Sequence, residues 1–183
     1  MIRRIIILAA LCVASVGAWA QSLTPAQLTA LRTSILAGEF AAQCQPFGDG
    51  PTNIAAAYNL PASPAFIVRR STVQTRDIGP VLNYVAVANL TTANRDRATT
   101  FVILNPDNFT PTADVEAYWA DAFSGALGGQ GQATRDALSA LWRRNVTRFE
   151  RVFAAGTGTT ASPGALVVEG ALTADVVRQA CTQ

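Results

Sequence analysis

The chain has 183 residues, half of them apolar and 14% charged, and its 14 basic side chains are all arginine because neither lysine nor histidine occurs. That composition suits a folded globular chain with a real core and excludes disorder. The missing residue types exclude a Ser-His-Asp triad, a Cys-His pair, a Schiff-base lysine, a Walker loop and any His-containing metal site.

The first predicted element is a leader. Arg3 and Arg4 precede an apolar run over residues 5–17, and Ala18-Trp19-Ala20 offers a small-x-small cleavage site before Gln21. A charged start, an apolar stretch of roughly 7–15 residues and such a site are the parts of a secretory signal. The run is also shorter than the roughly 20 apolar residues that span a bilayer. Residues 1–20 are therefore expected to be a signal peptide that engages the inner membrane during export, with a retained membrane-anchoring leader as the alternative. Cys12 lies inside the run and follows Leu11, so lipid attachment there is not expected. Without Arg3 and Arg4 the remaining arginines balance the 12 acids. A neutral chain lacks the positive surplus that sequence-independent binding to phosphates requires, so no nucleic-acid partner is expected.

Residues 21–183 are expected to form a single, mainly α domain of about six to seven helices with a small two-stranded β-ribbon. Thr24-Pro25-Ala26-Gln27 is a capping-box start with proline at the first helical position, and Leu28, Leu31, Ile35 and Leu36 follow at helical spacing. A Gly/Pro/Gln-rich connection over residues 38–51 carries Cys44, and a short helix is expected over 52–59. Residues 62–73 lack a helical period and place Phe66, Ile67 and Val68 just after a proline, which predicts a strand. Their opening Ala-Ser-Pro returns at Ala161-Ser162-Pro163, ahead of Leu166-Val167-Val168, so the ribbon is expected to pair residues around 65–70 with those around 165–169.

Between these strands the signals are helical. One helix is expected over residues 76–88, entered through or kinked at Pro80. Thr91 or Thr92 caps a second that stops at Asn105-Pro106, and Thr112 caps a third with Asp114 and Glu116 in its first turn. Glycines over residues 125–131 are expected to break the chain before the longest helix, over 133–155, and a last short helix starts at Thr173.

Cys44 and Cys181 form an even pair once the leader is removed. In an oxidising periplasm such a pair reads as a disulfide tying the last helix to the N-terminal region; two unpaired thiols are the alternative. Neither has a His or Lys neighbour to activate it, so no thiol chemistry is expected. Gly156-Thr157-Gly158-Thr159-Thr160-Ala161 matches the G-x-G-x-x-A phosphate pattern by letters. That pattern needs a strand before it and a helix after it, and here the expected order is reversed. Gly156, Gly158 and Pro163 are instead expected to form a structural joint between helix and strand, with Gly156 just past the helix end.

Arg144, Arg148 and Arg151 line one face of the expected long helix. With Arg69 and Arg70 they are the candidate partner-binding residues, against the alternative of a solvated face. Val115, Tyr118, Trp119, Ala122 and Phe123 form an aromatic stripe that reads as core, with a binding platform as the sharper alternative. Asp114 and Asp121 lie two turns apart on one helix face with Glu116 nearby, which is the only arrangement resembling a pair of catalytic carboxylates. No catalytic, cofactor-binding or metal-ligating residue, and no cofactor or small-molecule substrate, is expected.

Three stretches, "NLTTANRDR", "NPDNFTPTADVEAYWADAFSG" and "TRDALSALWRRNVTRFERVFAAGTGTTASPGALVVEGALTADVV", resemble a family of small proteins of unassigned function encoded by tailed bacteriophages and prophages. Its members open with a helix like "LTPAQLTALRTSILA", carry a segment similar to "NIAAAYNLPASPAF", and end in Thr-Arg-x-Glu-[KR]-x-[LF] followed by A-[AT]-G-T-G-[ST]-x-A-S-P. The resemblance spans roughly residues 23–180. It implies a phage origin and a role in the particle or its assembly. The leader and the Cys44/Cys181 pair depart from the family pattern, and both suit work outside the cytoplasm.

The expected function is accordingly that of a non-enzymatic, phage-derived protein acting by protein–protein contacts, virion-associated or assembly-related, with homo-oligomerisation compatible. The alternative is a periplasmic, prophage-encoded module that modifies the host envelope, for instance by excluding superinfecting phages. A carboxylate-based envelope hydrolase is a third reading.

Overall fold

The structure is a computed structural model that describes residues 22–125 and 127–183. The leader expected at residues 1–20 lies outside the described residues. Among the described residues the chain is mainly α. Its helices are α1 (Pro25–Leu36), α2 (Gly50–Tyr58), α3 (Ile78–Val81), α4 (Tyr84–Ala88), α5 (Thr92–Leu104), α6 (Ala113–Ala122), α7 (Gly128–Trp142), α8 (Arg148–Val152) and α9 (Ala174–Cys181). Short strands punctuate them: β1 (Ile67–Arg69), β2 (Val73–Gln74), β3 (Asn108–Phe109), β4 (Arg143–Asn145), β5 (Ala154–Ala155) and β6 (Ala165–Leu166).

The helix starts follow from short-range capping. Thr24 accepts from the Gln27 N–H at 3.3 Å while the Gln27 side chain accepts from the Thr24 N–H at 2.8 Å, closing the predicted capping box ahead of Pro25. Thr91, Thr112 and Thr173 cap α5, α6 and α9 in the same one-sided way, each hydroxyl accepting from an N–H three residues on.

The buried side chains gather into two main cores. Leu28, Leu31 and Ile35 of α1 meet Ile54 and Tyr58 of α2, Phe149 of α8, and Val177 and Ala180 of α9. This terminal core also holds Cys44 and Cys181, which are joined by a disulfide with Cα atoms 5.4 Å apart and a sequence separation of 137. The middle core is aromatic: Trp119 and Phe123 from the α6 stripe pack with Leu138 and Trp142 of α7, Ile78 of α3 and Ala86 of α4. Phe101 and Trp119 meet edge-on at 5.5 Å, as do Phe109 and Trp142. The predicted stripe is thus core, with Trp119 at 1% and Phe123 at 0% exposure. A third small cluster, Ala62, Phe66, Val68 and Val146, lies where the chain passes from α7 to α8.

The strand pairing differs from expectation. β1 runs antiparallel to β4, with Val68 opposite Arg144 and Arg69 opposite Arg143. β6 pairs with β5, so the two Ala-Ser-Pro segments do not form the predicted ribbon with each other. They do lie side by side through one parallel bridge, Val68 to Gly164. Pairing partners are set by tertiary position, and a repeated strand-opening tripeptide carries no information about them.

The expected long helix over 133–155 is also corrected. α7 ends at Trp142, and Arg143 adopts an extended conformation with φ −119° and ψ 158°. Residues 143–145 instead satisfy β1, and Asn145 reinforces the turn by accepting from the Phe66 N–H at 2.9 Å and donating to the Ala62 carbonyl at 3.1 Å. Helix resumes at Arg148 because Thr147 and Glu150 form a second capping box. The helix expected over 76–88 is likewise divided. Leu82 turns to ψ 133° after α3, and Asn83 caps α4 by accepting from the N–H groups of Val85 and Ala86. The break expected over 125–131 is present but ends sooner: α6 stops at Ala122, Gly125 takes φ +78°, and α7 already begins at Gly128.

Candidate functional site

The glycine loop connects β5 to β6, so the joint expected between a helix and a strand is a hairpin loop between two strands. Gly156 and Gly158 take φ +95° and +63°, conformations that L side chains rarely adopt. Gly158 also accepts from the Ile67 N–H at 2.7 Å, and a Cβ at Gly158 or Gly164 would fall within the Phe66 ring. The Arg151 guanidinium lies 3.9 Å from the centroid of the same ring. The loop is therefore a clasp around Phe66. β6 follows it in place of a helix, so the loop lacks the helix N-terminus that the phosphate pattern relies on.

Two carboxylates organise the arginines. Arg69 on β1 and Arg143 on β4 face each other across the ladder, an arrangement of like charges that is unfavourable by itself. Glu116 of α6 resolves it by accepting from both forks: from Arg69 Nε and Nη2 at 3.1 and 3.2 Å, and from Arg143 Nε and Nη2 at 3.3 and 2.9 Å. Burial pushes the Glu116 carboxyl upward, but the bonds from Arg143 and Arg69 outweigh it and hold the pKa below the usual carboxylate value.

Glu150 is buried to 2% exposure. It accepts from Arg144 Nη1 and Nη2 at 2.6 and 2.8 Å and from the N–H groups of Thr147 and Gly170 at 3.0 Å each. Here too burial acts upward, and the Arg144 bonds followed by the backbone N–H groups win, so the pKa lies below its ordinary value. Arg144 reaches Glu169 as well, at 2.8 Å, and its own pKa is raised, chiefly by the hydrogen bonds it donates to Glu150.

The arginines predicted to share a face are thus dispersed. Arg144 is on β4 and engaged internally, Arg148 opens α8 and pairs with Glu39 at 3.1 Å, and Arg151 leans on Phe66. Arg69 is held by Glu116, while Arg70 is exposed. The carboxylates are dispersed in the same way: Glu116 is clamped between two guanidiniums and Asp121 pairs with Arg97 at 2.9 Å. A hollow of about 390 Å³ between α6 and α7 is lined by Glu116 and Arg143 together with Asp136 and Ser139. Among the described residues no group of three or more His, Cys, Asp or Glu side chains converges as metal ligands would. Nor is any helix among them long and apolar enough to cross a membrane.

The feature that sequence reasoning missed is an apolar groove of about 420 Å³. Ile78, Leu82, Val87, Leu90, Val102 and Ile103 line it, with the buried Trp119 and Phe123 behind them. The buried indole N–H of Trp119 has no acceptor among the described residues. α5 supplies one wall yet buries none of its own residues; Asn94, Ala98 and Phe101 are half-covered, while Ile103 and Leu104 are 68% and 74% exposed. Tyr84 and Val85 of α4 are also exposed. The run Phe101-Val102-Ile103-Leu104 was the available signal: four successive apolar residues on one helix cannot all face inward.

Comparison with known proteins finds no matching family model, no matching curated protein and no matching solved structure.

Proposed function

We propose that this is a non-enzymatic protein of phage or prophage lineage that acts through protein–protein contacts outside the cytoplasm. The observation that carries the contact reading is the exposed apolar surface of α4 and α5, where Tyr84, Val85, Ile103 and Leu104 all stand largely in solvent. Ile103 also lines the apolar groove, and large exposed apolar side chains at such a hollow mark sites covered by a partner. The compartment is supported by the Cys44–Cys181 bridge, since disulfides persist in oxidising environments and are rare in the cytosol. The phage lineage rests on the motif resemblance of residues 23–180. A carboxylate hydrolase receives no support from the geometry, because Glu116 and Asp121 are each bound to arginine.

The test is to express the full-length chain in a bacterial host, fractionate the cells, and measure the intact mass of the product. The proposal expects a form beginning at Gln21, with oxidised Cys44 and Cys181, in the periplasmic fraction. A product that keeps residues 1–20 and is found within phage particles would sink it in favour of the virion or assembly role.

A further inference from the structure

We infer that the groove between α3, α4 and α5 receives an amphipathic helix of a partner protein whose apolar stripe is flanked by carboxylates. The inference rests on the protein-contact reading above and adds the chemistry of the partner.

Three observations converge on it. α5 is a 13-residue helix that fully buries no residue and packs only Ala98 and Phe101 of its apolar side chains on the middle core, whereas helices of this length gain most of their stability from packing an apolar face. Val102 and Ile103, on its uncovered side, are walls of the groove, so whatever fills the groove also covers α5. The charged residues lining the groove are Arg76 and Arg95, and no carboxylate lines it. Arg76 is 81% exposed, with Asp77 at 4.0 Å as its closest ion-pair partner. Arg95 is held toward the end of α4 by the Ala88 and Leu90 carbonyls at 3.2 and 3.4 Å. An acidic partner therefore meets two positive groups.

The shape selects a helix over a lipid surface. A membrane engages a flat or convex apolar face, whereas this surface is a hollow whose accessible lining includes Leu82, Val87, Val102 and Ile103, with Trp119 and Phe123 buried behind them. A concave apolar channel accepts a ridge of side chains at i, i+3, i+4 and i+7, as in other helix-in-groove recognition. Packed there, the incoming helix would make α5 an inner helix.

The experiment uses purified protein with its disulfide intact and a fluorescent synthetic helix of about eighteen residues, bearing leucines at that spacing and glutamates beside them. A matched peptide carries lysine in place of glutamate, and vesicles of phosphatidylcholine with phosphatidylglycerol form a third arm. Anisotropy is expected to show the glutamate peptide binding at least about tenfold more tightly than the lysine peptide. Ile103→Asp should abolish that binding, and Arg76→Glu should reduce the preference for the acidic peptide. Both residues are exposed, so both variants should retain the parent melting temperature, which confirms that folding is not the cause. Equal binding of the two peptides, indifference to Ile103→Asp, or binding to the vesicles alone would each overturn the inference. Failure here leaves the export assay untouched, and failure of export leaves the groove assay untouched, so the two proposals fall separately.

Discussion

The terminal core joins α1 and α2 to α8 and α9, elements from opposite ends of the described chain, and a disulfide locks them together. The middle core is built from α3 to α7, which follow one another in sequence, and it contains no cysteine. Closing a long loop is an entropic burden that local contacts do not carry, so a covalent tie helps most where α9 must find α1 and α2. The two cores also differ in coverage. α9 buries Val176, Val177, Ala180 and Cys181, whereas α5, at the edge of the middle core, half-covers Ala98 and Phe101, fully buries no residue and leaves a groove open. One region is finished by the chain itself, and the other presents a surface still to be covered.

The largest expected effect tests the covalent tie. Cys44→Ser with Cys181→Ser, or reduction of the bridge, should cost about 4–5 kcal/mol by the loop-entropy relation for a separation of this length. Urea denaturation gives the total, and hydrogen exchange gives its distribution: amides of α1 and α9 should lose protection before those of α6 and α7. Equal loss in both would show that the cores unfold as one unit, and the contrast drawn above would then fail.

Next in size is the buried carboxylate that links α8 to β4. Glu150→Ala should destabilise by about 3 kcal/mol, the lower end for breaking a buried pair, because Arg144 keeps Glu169. The pH dependence follows from the same site. Glu150 and Glu116 have folded pKa values below the ordinary 4.5. The stability they contribute is therefore fully present above that value and is lost as pH falls through their folded pKa values. Melting temperature should drop steeply below about pH 4.5 in the parent and less so in Glu150→Gln. A flat profile in the parent would contradict both carboxylate assignments.

Gly158→Ala should cost roughly 1–3 kcal/mol, since the new Cβ meets Phe66 and the backbone has positive φ. Phe66→Ala should make the same substitution less damaging, and a double-mutant cycle measures the difference. Thr24→Ala and Thr112→Ala remove one helix cap from each core and should each cost about 1 kcal/mol. If only Thr24→Ala is measurable, the middle core is less dependent on its helix starts than the terminal one. The smallest effect is Ile103→Asp, expected to change stability by less than about 0.5 kcal/mol because the side chain is exposed.

Much of the architecture could be read from residue order. Thr24-Pro25-x-Gln27, Thr91, Thr112 and Thr173 announce helix starts because a cap is a bond over three residues, and no distant part of the chain needs to be known. The aromatic stripe of α6 and the candidate pairing of Cys44 with Cys181 were available on similar grounds, one from helical period and the other because residues 21–183 hold just these two cysteines. Thr147-Arg148-Phe149-Glu150 is also a capping-box signature, and it marks the restart of helix at Arg148 that the apolar period across residues 133–155 concealed.

Long-range facts could not be read in this way. Arg143 to Asn145 have no local preference that sets them against Ile67 to Arg69; they become a strand because buried N–H and C=O groups on β1 require partners there. The arginines that look like a basic helix face are divided among Glu116, Glu150, Glu169 and Glu39 only once the fold brings those carboxylates near. The groove exists because α3, α4 and α5 pack over Trp119 and Phe123 while leaving Val102 and Ile103 of α5 in solvent. Local order thus determined where the threonine-capped helices α1, α5, α6 and α9 begin, which face of α6 is core and which two cysteines were candidates to bond, because those depend on neighbours in sequence or on a simple count. Strand partners, charge pairing and the open surface were decided by packing between segments tens of residues apart, where no short-range rule operates.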